Sequence, residues 1–353
     1  MPDYSRIQYP LFDWLRIILA SLVFVQHAQV TGLVSPGNFA VQIFFALSGW
    51  LIGGILLKMP PAGLPRFFYD RATRIWIPYL PAVAAIYILT LLKDGGSPYF
   101  LEPLAFDLTF THNWFISENQ IVGAALPMQG TGSHFWSISV EEQFYLIAPL
   151  VLVLSPLRKS LTICAILALV MIGMQGWYGS VSAGVLAAML QRRFGDWHLT
   201  RQGVLAISAL FATAAAGYLV MALPYRLCVP LAAVAVVLLT ARPGHRGTVT
   251  RLVGGLSFPL YLYHWMGLFV GSALVKKAEF AQRPAMLIGY VAALAIAAAA
   301  YAIVDRRVLR ARTDRYRPAY GKAAIVTAGL LLVTGILLGT LVIGPLDSAP
   351  PSS

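Results

Sequence analysis

Charge is sparse in this sequence. Asp, Glu, Lys and Arg make up 11% of its 353 residues, while 58% are hydrophobic. Several apolar runs approach the roughly 20 residues that a bilayer span needs. Segments of about ten residues with alternating hydrophobicity are missing, which argues against a transmembrane barrel. The expected fold class is therefore all-α, a polytopic membrane protein. Cysteine is nearly absent. Cys164 and Cys228 both fall in apolar runs and imply no disulfide framework. Neither has a nearby base in sequence, which argues against a covalent acyl-cysteine. No cleavable signal peptide is expected, since the first apolar run is charged inside and lacks a small-residue cleavage site. No internal repeat of the kind seen in many secondary transporters is evident. His27, His134, His264, Glu141 and Glu142 show no HxxxH or HxxE spacing, so no metal is expected.

The charge that is present is lopsided, with a net +12. In a soluble protein that would suggest nucleic acid. Here the loops between apolar segments explain it, and no nucleic-acid partner is expected. Eleven spans are expected, at 11–32, 39–57, 76–92, 138–154, 161–176, 178–190, 203–222, 226–241, 257–275, 284–304 and 323–344. One set of loops carries most of the Lys and Arg. It includes Lys58, Arg66, Arg71, Arg74, Arg192, Arg201, Arg246, Arg251 and the run from Arg306 to Lys322. The other set holds Lys93, Arg226, Lys276, Lys277 and Arg283. The basic side is expected to be cytoplasmic, with the N-terminus inside and the C-terminus outside. The Pro/Ser-rich stretch 346–353 reads as a short outer tail. The outer connection 93–137 is long and rich in aromatic residues. Such a loop is usually functional, and it can re-enter the membrane face where protein covers its backbone.

Within the first span stand Asp13, Arg16 and His27. Ionisable residues in a membrane span are functional candidates. Arg16 and His27 are eleven positions apart, three turns plus about 20°, so they share a helix face about 16 Å apart along the axis. Arg71 and Arg74, at i and i+3, form a second cluster that can clamp phosphates bidentately. A third lies at HFWSISVEEQFYLIAP, where Ser137, Glu141 and Tyr145 are expected on one inward face and Glu142 on another. A carboxylate beside His27 would orient a general base and keep it basic. The small residues of NFAVQIFFALSGWLIGGILL, Ser48 among them, permit close helix contact. Tyr261 and His264 are i, i+3 neighbours at the expected opening of the ninth span, with His264 read as structural.

Together these residues are familiar. The chain resembles the acyltransferase-3 family of integral-membrane acyltransferases. Arg16 and His27 match its Arg-x10-His pattern. FFALSGWLI (44–52), RATRIWIPY (71–79), HNW (112–114), WSISVEEQFYL (136–146) and SFPLYLYH (257–264) follow in the family's order. Trp50, Asp305-Arg306 and the lack of a proline after His264 depart from it without touching the Arg16–His27 pair. The resemblance covers essentially the whole chain and implies one acyltransferase domain over 1–345. It also implies transfer of an acyl group, usually acetyl, from cytoplasmic acyl-coenzyme A to a hydroxyl of a glycan outside a bacterial inner membrane. On that reading His27, Glu141 and Arg16 are catalytic, and Arg71, Arg74 and Tyr79 bind the coenzyme. Ser48, Asn113, Trp114, Trp136, Ser137, Ser139, Glu142, Tyr145, Tyr261 and His264 contact substrate or shape its cavity. A glycan or lipid-linked glycan and membrane lipids are the expected partners. Competing readings are a transporter or flippase that uses Arg16 and His27 as a proton or anion path, and a structural scaffold in polysaccharide export.

Overall fold

A computed structural model describes residues 8–32, 35–95, 100–116, 131–156, 160–174 and 176–342. Those residues form helices and connections, with no strand among them. Each of the eleven apolar segments contains a helix. Among the described residues eight helices are long and apolar enough to cross a membrane. Three of the eleven fall short of that. Leu161–Gly173 has 13 residues, and Gly179–Phe194 and Tyr225–Thr240 have 16 each. At 1.5 Å per residue they reach about 20–24 Å, less than the roughly 30 Å of hydrocarbon. Helix length therefore supports eight crossings rather than eleven.

Two helices begin earlier than the apolar pattern suggests. The third apolar segment belongs to a helix from Leu64 to Asp94, and the ninth to one from Thr248 to Ala278. Arg71, Arg74, Tyr261 and His264 thus lie inside helices, not at their openings. His264 is sixteen residues past Thr248, about 24 Å along the axis. The expectation that it sits near a helix end is corrected. Pro78, Pro81 and Pro259 lie within these helices, as membrane helices tolerate when neighbours satisfy the freed carbonyls.

The chain divides into two compact units, Met1–Met59 with Val151–Arg307, and Pro60–Leu150 with Val308–Ser353. Unit 1 contains α1 (Pro10–Ala28), α2 (Pro36–Lys58), α3 (Leu161–Gly173), α4 (Gly179–Phe194), α5 (Arg201–Leu219), α6 (Tyr225–Thr240), α7 (Thr248–Ala278) and α8 (Gln282–Ala300). Proline opens α1 and α2, where its missing N–H costs nothing. α2 and α4 cross backbone to backbone. A Cβ on Gly49 would meet the Val181 carbonyl oxygen, and one on Gly184 would meet that of Ala46. Gly267 of α7 and Gly289 of α8 approach in the same way. Without a hydrophobic drive in lipid, close backbone packing of this kind holds helices together. Leu287, Ile288 and Val291 on α8 and Leu205 on α5 remain exposed, as lipid-facing flanks should.

Several helix ends meet at one end of unit 1. Gly244 N–H donates to the Gln8 carbonyl at 2.9 Å. The Arg192 guanidinium donates to the Leu57 carbonyl. His198 lies 3.1 Å from the Ala241 carbonyl. Lys58, Arg192, Arg193, Arg201, Arg242 and Arg246 are thereby gathered at that end.

Unit 2 contains the Leu64–Asp94 helix, the short helices Leu101–Leu108 and His112–Phe115, the Trp136–Pro149 helix and Pro318–Leu337. Gly321 packs on the backbone of Pro65, and Gly335 on the hydroxyls of Thr109 and Thr111. Within the long connection, 100–116 is largely helical, and its Phe106, Asp107, Thr111 and Asn113 are 0% exposed. Residues 117–130 and the tail 346–353 lie outside the described residues, so the re-entrant reading and the tail do too.

Candidate active site

In unit 1, α1 carries both residues of the Arg-x10-His pattern. Arg16 is half-buried and His27, near the helix end, is exposed. The His27 ring packs on that of His264, with centroids 5.3 Å apart. His264 is 1% exposed, and its Nδ1 lies 2.7 Å from the Tyr261 carbonyl oxygen. A carbonyl can only accept, so Nδ1 carries a hydrogen, and in the neutral ring Nε2 then keeps its lone pair. The neighbour that unit 1 gives His27 is thus a histidine fixed in one tautomer. Tyr261, also buried, meets Phe44 of α2 edge-on at 6.3 Å. Ser48, one turn further along α2, is half-buried.

Asp13 answers a different need. It is 2% exposed, and the Arg246 guanidinium grips it with Nε–Oδ2 at 2.5 Å and Nη2–Oδ1 at 2.7 Å. Arg16 stands 3.8 Å from the same carboxylate. Bidentate geometry of this sort is the strong form of an ion pair. A Cβ on Gly254 would overlap the Asp13 carboxylate, so the glycine makes the room that the pair needs.

In unit 2 the two adjacent carboxylates separate. Glu142 is 9% exposed and accepts from the Trp76 indole N–H at 2.8 Å, while Glu141 is half-buried. The expectation from helix faces, that Glu141 points inward, is reversed in burial. The reason is the indole, 66 positions away, which gives the buried carboxylate its partner. Ser137 does not extend a polar stripe either, because its hydroxyl donates to the His134 carbonyl at 3.2 Å. Ser139 is 0% exposed, and its Oγ has no hydrogen-bond partner among the described residues. A small pocket, with about 10 Å³ of room, is lined by Arg71, Trp76, Glu142 and Tyr145, with Phe68, Ala72 and others. Arg71 faces it, while Arg74 is exposed. The two arginines of the motif therefore occupy different surroundings.

The HNW motif supports this wall. Asn113 and Gln143 exchange amide hydrogen bonds at 3.1 and 2.8 Å, and Gln143 also donates to the Phe110 carbonyl at 2.7 Å. Phe110 adopts φ 56°, a conformation that persists only where surroundings fix it. Its ring lies on Trp76, centroids 6.1 Å apart. His112 Nδ1 meets Asp107 Oδ1 at 2.6 Å, and Tyr87 OH donates to Oδ2 at 2.6 Å. Tyr79, fully buried, donates to the Asp107 carbonyl at 3.0 Å, so its hydroxyl is committed inside the unit. Trp114 and Trp136 are half-buried. Among the described residues no group of three or more His, Cys, Asp or Glu is placed to hold a metal.

Sequence reasoning missed Trp76, Asp107 and Gln143, although each stands in or beside a motif. It also passed over the pairing of Asp13 with Arg246, whose positions differ by 233. A charge inside an apolar span was the only available signal for Asp13.

The family profile described as an acyltransferase domain matches residues 9–302. The chain belongs to the acyltransferase-3 family. It is 32% identical over 156 residues to the peptidoglycan O-acetyltransferase OatA of Listeria monocytogenes, covering 41% of this chain and 24% of that protein. It is 28% identical over 155 residues to the O-acetyltransferase OatA of Staphylococcus aureus strain NCTC 8325, covering 42% and 25%. The chain spans about a quarter of the length of these curated relatives. No solved structure matches it. The matched residues include α1 and α7 of unit 1 and the Leu64–Asp94 and Trp136–Pro149 helices of unit 2.

Proposed function

We propose that this member of the family transfers an acyl group, acetyl in the simplest case, from acyl-coenzyme A to a hydroxyl of a cell-surface glycan. The observation that carries the reading is the exposed His27 imidazole, seated on the tautomer-fixed His264 and sharing its helix with Arg16. An exposed imidazole can take a proton, and its buried neighbour holds the ring in place. On this reading His27 removes the acceptor's hydroxyl proton as the oxygen attacks the thioester carbonyl. The carbon–sulfur bond breaks, and the proton passes to the departing thiolate, giving an ester and free coenzyme A. Arg16 contributes positive charge at the same face. Arg71 and Arg74 bind the acyl donor, and Glu141, half-buried in unit 2, serves as a polar group for the acceptor. The relatives' names, which specify O-acetylation and in one case peptidoglycan, support an ester product and a glycan acceptor.

The basic end of unit 1 supports a cytoplasmic N-terminus, by the excess of Lys and Arg on that side of a bacterial inner membrane. The deciding experiment is mass spectrometry of surface glycans from cells with and without the gene. The reading expects acyl esters, removable by mild alkali, that vanish with the gene. Glycans identical in both would overturn it and favour transport without chemistry.

A further inference from the structure

His27 is the last residue but one of α1. Helix ends fray, because their last carbonyls have no partner within the helix. A group that must meet a substrate there needs a hold from outside α1. Neighbouring helices supply it. The His264 ring of α7 lies against His27. The Ala28 carbonyl accepts from the side chain of Gln282, the first residue of α8, at 3.2 Å. The contact to α2 is made by Gln26, beside His27 in sequence.

Gln26 Oε1 accepts two backbone N–H groups, from Gly37 at 2.8 Å and Asn38 at 3.0 Å. They are the first two N–H groups of α2, since Pro36 has none. A helix usually takes such bonds from the side chain of the residue just before it. Here that residue is Ser35, whose side chain makes no capping bond among the described residues. Gln26 thus caps α2 from another helix. Its Nε2 in turn donates to Asn38 Oδ1 at 3.3 Å, so both ends of the amide are engaged. The seat is close-fitting. A Cβ on Gly37 would stand 3.1 Å from Gln26 Cβ, from Gln26 Oε1 and from the Val23 Cα. A serine or aspartate at the cap would satisfy α2 alone. An acceptor drawn from α1 also ties the turn that carries His27 to the start of α2.

That tie matters for chemistry, because misplacing a reacting group by about 1 Å can cost about 10²-fold in rate. We propose that Gln26 is a positioning residue for His27: by capping α2 with its side chain it fixes the last turn of α1, and with it the place of the imidazole. The proposal rests on the reading of His27 as the base.

The test is a double-mutant cycle on the full chain in vesicles, with labelled acetyl-coenzyme A and surface glycan isolated from cells lacking the gene. Gln26→Leu keeps the bulk and removes the acceptor. It should slow transfer by at least about tenfold when His27 is present. In a His27→Ala background it should slow the residual transfer by less than about twofold, since it acts through a side chain no longer there. Gln26→Glu keeps the acceptor for both N–H groups and should recover most of the rate. Gly37→Ala, which crowds Gln26 without removing it, should give a smaller loss that also vanishes without His27. Hydrogen exchange of the same chains reads the cap without turnover. Exchange at Gly37 and Asn38 should rise in Gln26→Leu and stay low in Gln26→Glu. The proposal is overturned if Gln26→Leu transfers at the wild-type rate, or slows the His27→Ala chain as much as it slows wild type, or leaves exchange unchanged. Wild-type chain that forms no ester overturns the transfer reading, and positioning for transfer with it, even where exchange shows the cap. Ester formed by wild type and by Gln26→Leu alike overturns the positioning role alone.

Discussion

Two buried carboxylates, Asp13 of unit 1 and Glu142 of unit 2, are met in opposite ways. In unit 1 Asp13 is closed bidentately by Arg246, with Arg16 nearby. In unit 2 Arg71 and Glu142 share a cavity and stay apart. A closed pair satisfies its own desolvation and fixes helix positions. An open pair does neither. Among the histidines the contrast runs the other way round, the sealed one in unit 2 and the exposed one in unit 1. His112 is sealed against Asp107, whereas His27 is exposed beside His264. Sealed groups hold the scaffold, and open ones face substrate.

Breaking a closed group should cost stability first. The largest effect is expected for Arg246→Met, which leaves the 2% exposed Asp13 carboxylate without its main partner. A loss of about 3 kcal/mol is expected, the low end for a broken buried pair because Arg246 is itself partly exposed. Thermal unfolding in detergent checks it, and the double variant Asp13→Asn/Arg246→Met should lose less than the two single changes summed. Next comes Gly184→Ala, whose added methyl would press on the Ala46 carbonyl and force α2 and α4 apart. Overpacking there should cost roughly 1–3 kcal/mol by the same measurement. Tyr87→Phe removes one of two donors to the Asp107 carboxylate while His112 remains. About 1 kcal/mol is expected, as for one buried hydrogen bond. The smallest effect belongs to Arg66→Ala, which opens the partly exposed Arg66–Asp70 pair at 3.1 Å. Under about 1 kcal/mol should be lost, and a larger loss would mean that closed and surface pairs do not differ as described.

Much of this scaffold is legible in sequence because lipid imposes long apolar runs. Arg16 and His27 stand out by the same rule, as charge where charge is costly. What the sequence hides is partnership across distance. Nothing local pairs Asp13 with Arg246, or Glu142 with Trp76, so Glu141 looks the better inward carboxylate until the indole is placed. The early starts of two helices are hidden for a related reason. Arg66, Asp70, Arg71 and Arg74 break the apolar pattern, yet that stretch is helical, with Arg66 and Asp70 paired at i, i+4 along it. Gly254 and Gly255 look like a break before α7. They are helical, with Asp13 and Tyr301 packed where their side chains would be. Leu161–Gly173 and Tyr225–Thr240 satisfy composition but not length, which only the structure measures.

The central claim is that the exposed histidine of unit 1 does the chemistry. The most direct test reconstitutes the full chain in vesicles, supplies acetyl-coenzyme A with a labelled acetyl group on one side and a glycan acceptor on the other, and compares wild type with His27→Ala. The account predicts alkali-labile label on the glycan with wild type. With His27→Ala it predicts a rate lower by roughly 10²–10⁴, the protein remaining inserted with an unchanged unfolding temperature, because His27 is exposed. Label appearing at the wild-type rate with His27→Ala would contradict it.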